Sequence, residues 1–247
     1  MTDDIWTPPS TLEERLKRFL VPPRLEVARV ARREMLKGEP EIRLLHALAD
    51  PTRASIDAGA NRGVWAHVLA GLCPKVYAFE PNPKLFSILK AGAKSNVECF
   101  PYGLSDEDGA GELMVPGEDG HYSNQGATLN PAKVEGQPFK TTRVETKRLD
   151  ALKLDPVGFI KIDVEGHEMA VIRGAKALIA RDRPRLIIEM EEKHTKQPLA
   201  DAIGEVNALG YRMIYLSAEG LMDGSQFTPA AMSPRGIPVN NFLFLPL

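Results

Sequence analysis

From Ala54 onward the chain sets a carboxylate directly behind each of four short apolar runs. Asp57 follows Ala54-Ser55-Ile56, Glu80 follows Val76-Tyr77-Ala78-Phe79, Asp163 follows Gly158 to Ile162, and Glu189 follows Arg185-Leu186-Ile187-Ile188. Helical patterns separate the runs, so they read as parallel strands of a helix-covered sheet, an α/β fold. Parallel strands end along one edge, and open α/β sheets bind their ligands there. The spacing therefore predicts a sheet with an acidic ligand-binding edge.

Further strands are expected over Asn96 to Tyr102, Tyr211 to Leu216 and Asn241 to Leu245. No helical pattern lies between the last two, which predicts an antiparallel ending. Residues 105–140 are rich in Gly, Pro, Asp and Ser, with short β-like pieces at Glu112 to Val115 and Lys140 to Val144. A long irregular insertion of this kind is expected to act as a lid.

The first fifty residues read as a helical extension to a domain spanning 51–247. Ser10 and Glu13 have capping-box spacing, and Leu12, Leu16, Phe19 and Leu20 then share one helical face until Pro22-Pro23. A second helix is expected from Pro23 to Lys37, and a third amphipathic stretch carries Ile42, Leu44, Leu45 and Leu48. Between Arg15 and Lys37 lie Arg15, Lys17, Arg18, Arg24, Arg29, Arg32, Arg33 and Lys37, opposed only by Glu26 and Glu34. Two readings stand: a basic face for an anionic substrate, a partner or a membrane surface, or a plain solvated helix face.

Composition narrows the classes. In 247 residues, 31 Lys+Arg against 33 Asp+Glu leave a net charge of -2, which gives no global case for nucleic-acid binding. A 43% hydrophobic, 26% charged chain is that of an ordinary globular protein. Cys73 and Cys99 are too few for a disulfide framework, and no Cys/His spacing suggests zinc, so a reducing, cytoplasmic setting is expected. The first residues lack a signal-peptide pattern and no apolar run reaches the roughly 18 residues of a membrane span. Any membrane contact is expected to be peripheral.

The clearest motif is Asp57-Ala58-Gly59-Ala60-Asn61-Arg62-Gly63, between the first strand and a helix. Its glycines permit a tight turn and close ligand approach, and the helix start offers free N–H groups. A dinucleotide fingerprint needs glycine at 61 and a small residue at 64, where the chain has Asn61 and Val64. Glu80, 23 residues after Asp57, ends the next strand where an acid can accept from both ribose hydroxyls. An acidic loop and a ribose acceptor without a phosphate fingerprint suit a cationic adenosine ligand, S-adenosylmethionine. The alternatives are an NAD-type oxidoreductase, or a non-catalytic cofactor-fold scaffold that docks through the basic helices.

In these motifs the chain resembles the FkbM family of S-adenosylmethionine-dependent methyltransferases. The resemblance rests on Ile56 to Gly63, Phe79-Glu80-Pro81-Asn82-Pro83, Gly103-Leu104-Ser105-Asp106, Asn124 to Leu129, and Ile160-Lys161-Ile162-Asp163-Val164-Glu165-Gly166-His167-Glu168. The resemblance implies a Rossmann-like class I methyltransferase sheet of seven strands with an antiparallel last strand. It also implies that Asp57, Gly59 and Asn61 lie along the methionine part of the cofactor, with Gly63 in the same loop, and that Glu80 takes the ribose. Gly103 and Leu104 would lie beside the adenine, and Asp163 and Glu165 would border the methyl-transfer centre. The acceptor it implies is a hydroxyl group, often of a sugar or natural product.

An alcohol is a poor nucleophile while it keeps its proton, so a base within hydrogen-bond reach is sought. Asp163, Glu165 and His167 are the candidates. Each has a second reading: Asp163 as a cofactor or loop ligand, Glu165 as compensation for a helix dipole, and His167 as a surface or capping residue. Asp163, Glu189 and Glu191 could together hold a divalent cation, but no decisive spacing supports one and none is expected. In the insertion, His121, Tyr122 and Asn124 are substrate-contact candidates. Trp6 and Trp65 read as packing residues and Cys73 as core.

Overall fold

The computed structural model describes residues 6–119, 121–123 and 126–247; the side chains of Arg15, Lys17 and Arg18 lie outside that description. Two helices lead the chain, α1 (Leu12–Leu20) and α2 (Pro23–Lys37), then a 3-10 turn (Pro40–Leu44) and α3 (Leu45–Leu48). There follow β1 (Ala54–Ala58), α4 (Val64–Leu69), β2 (Val76–Phe79), α5 (Pro83–Gly92), β3 (Val97–Phe100) and β4 (Tyr102–Leu104). The insertion supplies β5 (Gly109–Glu118), β6 (His121–Tyr122), a 3-10 turn (Pro131–Val134) and β7 (Phe139–Lys147). The remainder is β8 (Val157–Ile162), α6 (Glu168–Arg173), α7 (Lys176–Asp182), β9 (Arg185–Glu189), α8 (Glu192–Thr195), α9 (Leu199–Asn207), β10 (Tyr211–Ser217), β11 (Gly220–Asp223) and β12 (Asn241–Pro246).

The main sheet has eight strands in the order β11-β10-β12-β9-β8-β1-β2-β3. β1, β2, β3, β8 and β9 pair in parallel, and β12 runs antiparallel between β9 and β10. The seven-stranded sheet with its antiparallel last strand is present, and β11 adds an eighth strand through a hairpin on β10. Every residue of β1, β2 and β8 is buried. Both faces of these strands are covered, which is why they read as unbroken apolar runs.

Successive residues feed opposite cores. Ile160, Ile188 and Phe242 join Val171, Ile172 and Leu178 on one side. Phe159, Ile187 and Leu243 meet Leu69, Val76 and Leu89 on the other. Ile42, Leu45 and Leu48 are buried in that second core, so residues 40–48 are packed into the sheet domain. α2 lies against α4 and α5, with Val27 and Ala31 buried and Val27 filling the space beside Gly92.

Three expectations differ from the structure. Residues 105–140 are less irregular than expected: the β-like pieces at Glu112 to Val115 and Lys140 to Val144 lie within longer strands, β5 and β7, which pair antiparallel from Gly109↔Thr146 to Pro116↔Phe139 and build a second sheet, β4-β7-β5-β6. Gly109, Gly111, Pro116 and Gly117 are turn formers by type, yet β5 holds them by pairing, with Leu129 and Thr146 packed over Gly111 where a side chain would stand. The expected strand over Asn96 to Tyr102 is likewise divided between the two sheets as β3 and β4. The capping box at α1 is Thr11 with Glu14, not Ser10 with Glu13: Thr11 N–H donates to Glu14 Oε2 at 2.9 Å and Glu14 N–H to Thr11 Oγ1 at 3.2 Å. Leu12, Leu16, Phe19 and Leu20 occupy α1 as the spacing predicts, but they face solvent.

Candidate active site

The site forms where β1, β2 and β8 end. Behind β1 the chain turns through Gly59 (φ 79°), Asn61 (φ 51°) and Gly63 (φ 86°), all left-handed. A Cβ on Gly59 would collide with the Asp163 carbonyl oxygen, so glycine here lets two strand-end loops touch. Gly63 serves a different end: it starts α4, and a Cβ there would meet Leu89. Asp57 is almost wholly buried; its Oδ2 accepts from Ala66 N–H at 2.8 Å, while its Oδ1 has no hydrogen-bond partner among the described residues. Burial pushes its pKa up to about 6 against the pull of Lys161.

Glu80, 6% exposed, ties two loops together. Its Oε2 accepts from Asn61 N–H and its Oε1 from Asn82 N–H, both at 2.8 Å. Desolvation pushes its pKa up to about 7 despite those bonds. Each carboxylate oxygen retains a lone pair for a further donor.

Two cavities meet at this edge. A narrow cleft runs past Glu80, Pro81, Tyr102, Gly103 and Leu104, with Leu113 and Leu129 of the insertion as its opposite wall. A chamber of about 620 Å³ opens beside it, between α2 (Glu26, Arg29, Arg33), Glu39, Trp65 and Lys161. Gly59, Asn61 and Asp163 line both. The cleft has a polar diol acceptor at one end and an apolar slot at the other, a fit for a ribose and a flat base. Asp57 lines the chamber, and its orphaned oxygen is a fit for a cationic group.

At the junction Lys161 Nζ donates to Asp163 Oδ2 at 2.7 Å and sits 5.1 Å from the Trp65 ring centroid. Lys161 is buried on β8. Desolvation alone would lower its pKa, but Asp163, Asp57, Glu39 and Glu189 outweigh it and raise it. Glu189 is pushed well above the carboxylate range by burial and by Asp163, and accepts from Asn240 Nδ2 at 2.7 Å. Sequence reading missed Lys161 and Glu39. A lysine inside an otherwise apolar buried strand was the available signal for the first; nothing local pointed to the second.

The other candidates are distributed. Glu165 (φ 58°) pairs with Lys133 of the insertion, and its carbonyl accepts from Thr128 Oγ1 at 2.7 Å. Glu168, in the first turn of α6, accepts from Gly166 N–H at 2.8 Å. Asn130 Nδ2 donates to the Gly166 and His194 carbonyls, so residues 128–133 are fastened across the end of β8. His167 turns toward the cleft and shares a 2.9 Å hydrogen bond with Ser105 Oγ. Burial lowers its pKa.

Tyr122 packs edge-on against Trp6 at 4.9 Å between centroids, in a small cluster with Leu113, Val115 and Val144. Neither His121 nor Tyr122 lines the two cavities; their neighbour Ser123 does line the chamber. Asn124 lies outside the described residues. The cation alternative is not assembled: Glu191 pairs with Lys193 at 2.6 Å, Asp163 with Lys161, and among the described residues no three His, Cys, Asp or Glu side chains converge as a ligand set.

Residues 57–213 match the family model described as the methyltransferase FkbM domain. Over 143 residues the chain is 30% identical to the hexuronic acid methyltransferase AglP of Haloferax volcanii, covering 56% of this chain and 57% of that one. It is 27% identical over 157 residues to the 2-O-methyltransferase NoeI of Sinorhizobium fredii, covering 57% and 64%. The chain thus spans about 57–64% of the length of these curated relatives. Among solved structures, the FkbM methyltransferase of Methylobacillus flagellatus aligns with a TM-score of 0.48 and 16% identity, over 93% of this chain and 60% of that one.

Proposed function

The chain belongs to the FkbM methyltransferase family, and from that premise we propose that it is an S-adenosylmethionine-dependent O-methyltransferase acting on a hydroxyl of a sugar, glycan or natural product. The observation that carries this reading is Asp163, a carboxylate at the one stretch of wall shared by the cleft and the chamber. The relatives named for hexuronic acid methylation and 2-O-methylation support a sugar hydroxyl as the acceptor class.

Bound S-adenosylmethionine supplies an electrophilic methyl carbon. Glu80 would accept from the ribose hydroxyls, Gly103 and Leu104 would border the base, and Asp57, Gly59 and Asn61 would lie along the methionine part. An acceptor entering from the chamber would bring its hydroxyl to Asp163, which would take the proton as the oxygen–methyl bond forms and the methyl–sulfur bond breaks, S-adenosylhomocysteine leaving. Lys161 donates to Asp163 Oδ2, which restricts the orientation of the carboxylate and leaves its other oxygen as the one to meet the acceptor proton. Positioning of this kind can supply about 7–11 kcal/mol of barrier lowering, and a placed base a further 10²–10⁴-fold, roughly.

The test is incubation with labelled S-adenosylmethionine and a panel of uronic acids, neutral sugars and polyols. Label is expected on a hydroxyl oxygen, and Asp163→Asn is expected to abolish transfer while calorimetry still shows cofactor binding. Normal cofactor binding with no transfer to any hydroxyl, or transfer to nitrogen or carbon, would sink the reading.

A further inference from the structure

We propose that α1 and the outer face of α2 form a docking surface for an anionic lipid membrane. The argument begins with the way α1 is held. Glu14 on its polar edge pairs with Lys84 Nζ at 2.9 Å and with Arg62 at 3.6 Å, and Lys84, itself 4% exposed at the side chain, also donates to the Pro9 carbonyl. The helix is thus fixed to the domain through its acidic side, and its apolar side points outward: Leu12, Phe19 and Leu20 are 73%, 88% and 71% exposed, with Leu16 exposed between them. An amphipathic helix that served only the protein core would be turned the other way.

α2 continues the pattern. Arg29 and Arg33 line the chamber beside the half-buried acids Glu26 and Glu34, and Arg33 pairs with Glu34 at 3.1 Å. The exposed residues of α2 outside the chamber are Arg24, Leu25, Arg32, Leu36 and Lys37, three cations and two leucines with no carboxylate. Since α1 ends at Leu20 and α2 begins at Pro23, the apolar face and the cationic face are joined end to end.

Charge complementarity selects the occupant. Apolar side chains flanked by arginines are the arrangement of helices that lie in the membrane interface, the chains entering the acyl boundary and the cations meeting anionic headgroups. A second copy of the chain would bring cations against cations across a two-fold axis. A nucleic acid would leave the leucines and phenylalanine without a partner.

The test is co-sedimentation of the full chain with vesicles of phosphatidylglycerol and phosphatidylcholine, against vesicles of phosphatidylcholine alone. Binding is expected to the anionic vesicles, weakened by salt, and lowered at least about tenfold both by Leu16→Glu with Phe19→Glu and by Arg24→Glu with Arg32→Glu and Lys37→Glu. All these positions are exposed, so circular dichroism is expected to be unchanged. Phe19→Trp gives an independent reading, a blue shift of its fluorescence on adding anionic vesicles. Failure of the chain to bind anionic vesicles at low salt would overturn the proposal. So would charge reversal without effect, a dimer that Phe19→Glu splits in the absence of vesicle binding, or retention by RNA in its place.

Discussion

Replacing Glu80 by Gln separates the two duties of that carboxylate. In the folded chain each oxygen already accepts one backbone N–H at 2.8 Å, from Asn61 and Asn82. Gln turns one oxygen into an NH₂ group, so one of those buried N–H donors faces another donor, at a cost of about 1–3 kcal/mol. A second effect opposes it. Burial raises the Glu80 pKa from 4.5 to about 7, so between those values the folded chain binds more protons than the unfolded one and stability falls as pH rises. At about 1.4 kcal/mol per unit, this amounts to about 3 kcal/mol in full by a pH above 7. The wild type should therefore lose stability from pH 5 to pH 8 along a slope that Glu80→Gln flattens. Affinity for S-adenosylmethionine moves oppositely: ribose hydroxyls bond best to the ionised carboxylate, so wild-type binding should tighten through about pH 7 and release protons. Calorimetry at about pH 8 should show Glu80→Gln weaker by about 1.5–3 kcal/mol, roughly 10- to 150-fold, with the step in affinity at about pH 7 gone. A folded Glu80→Gln protein that binds like wild type at that pH would refute the ribose assignment.

Three further outcomes are expected. Gly59→Ala should lower stability by about 2–3 kcal/mol in denaturant titration, because the new Cβ meets the Asp163 carbonyl at a left-handed φ, and loss confined to cofactor affinity would contradict this. Lys161→Met should cost about 3–5 kcal/mol by leaving Asp163 and its neighbouring acids without their buried counter-charge, and an unchanged melting temperature would deny the cluster its stated electrostatics. Lys133→Met should free residues 127–133 from Glu165, read as faster amide exchange there with the main sheet unaffected; equal exchange would show that Thr128 and Asn130 suffice.

The main sheet was legible because its strands are buried on both faces and must be apolar throughout, so each terminating acid stood out against its run. Asp57, Glu80 and Asp163 were found for that reason, and the structure brings all three to one edge. The centres of β5 and β7 were visible as β-like pieces, but the extent of the second sheet was hidden because the ends of β5 are glycines and a proline that favour turns when considered alone, and its pairing with β7 is a long-range contact that no local pattern records. Tyr122 looked available in a polar loop, but its ring partner Trp6 stands more than a hundred positions earlier. Lys161 was passed over because its strand was read by its apolar neighbours. Glu39 reaches the site only through the fold of the 3-10 turn that follows it.

The chamber and the cleft draw on different stretches of the gene product. The cleft is walled by residues 59 to 167, all within the family-matched segment, whereas the outer wall of the chamber comes from residues 26 to 42, all before it. On the proposed reading, a change in α2 would reshape which acceptors are admitted while the cleft proposed for the ribose and base stays as it is. Acceptor choice could then diversify through the opening helices while the strand ends stay constant, and a chimera carrying another relative's first fifty residues would be a direct way to transplant it.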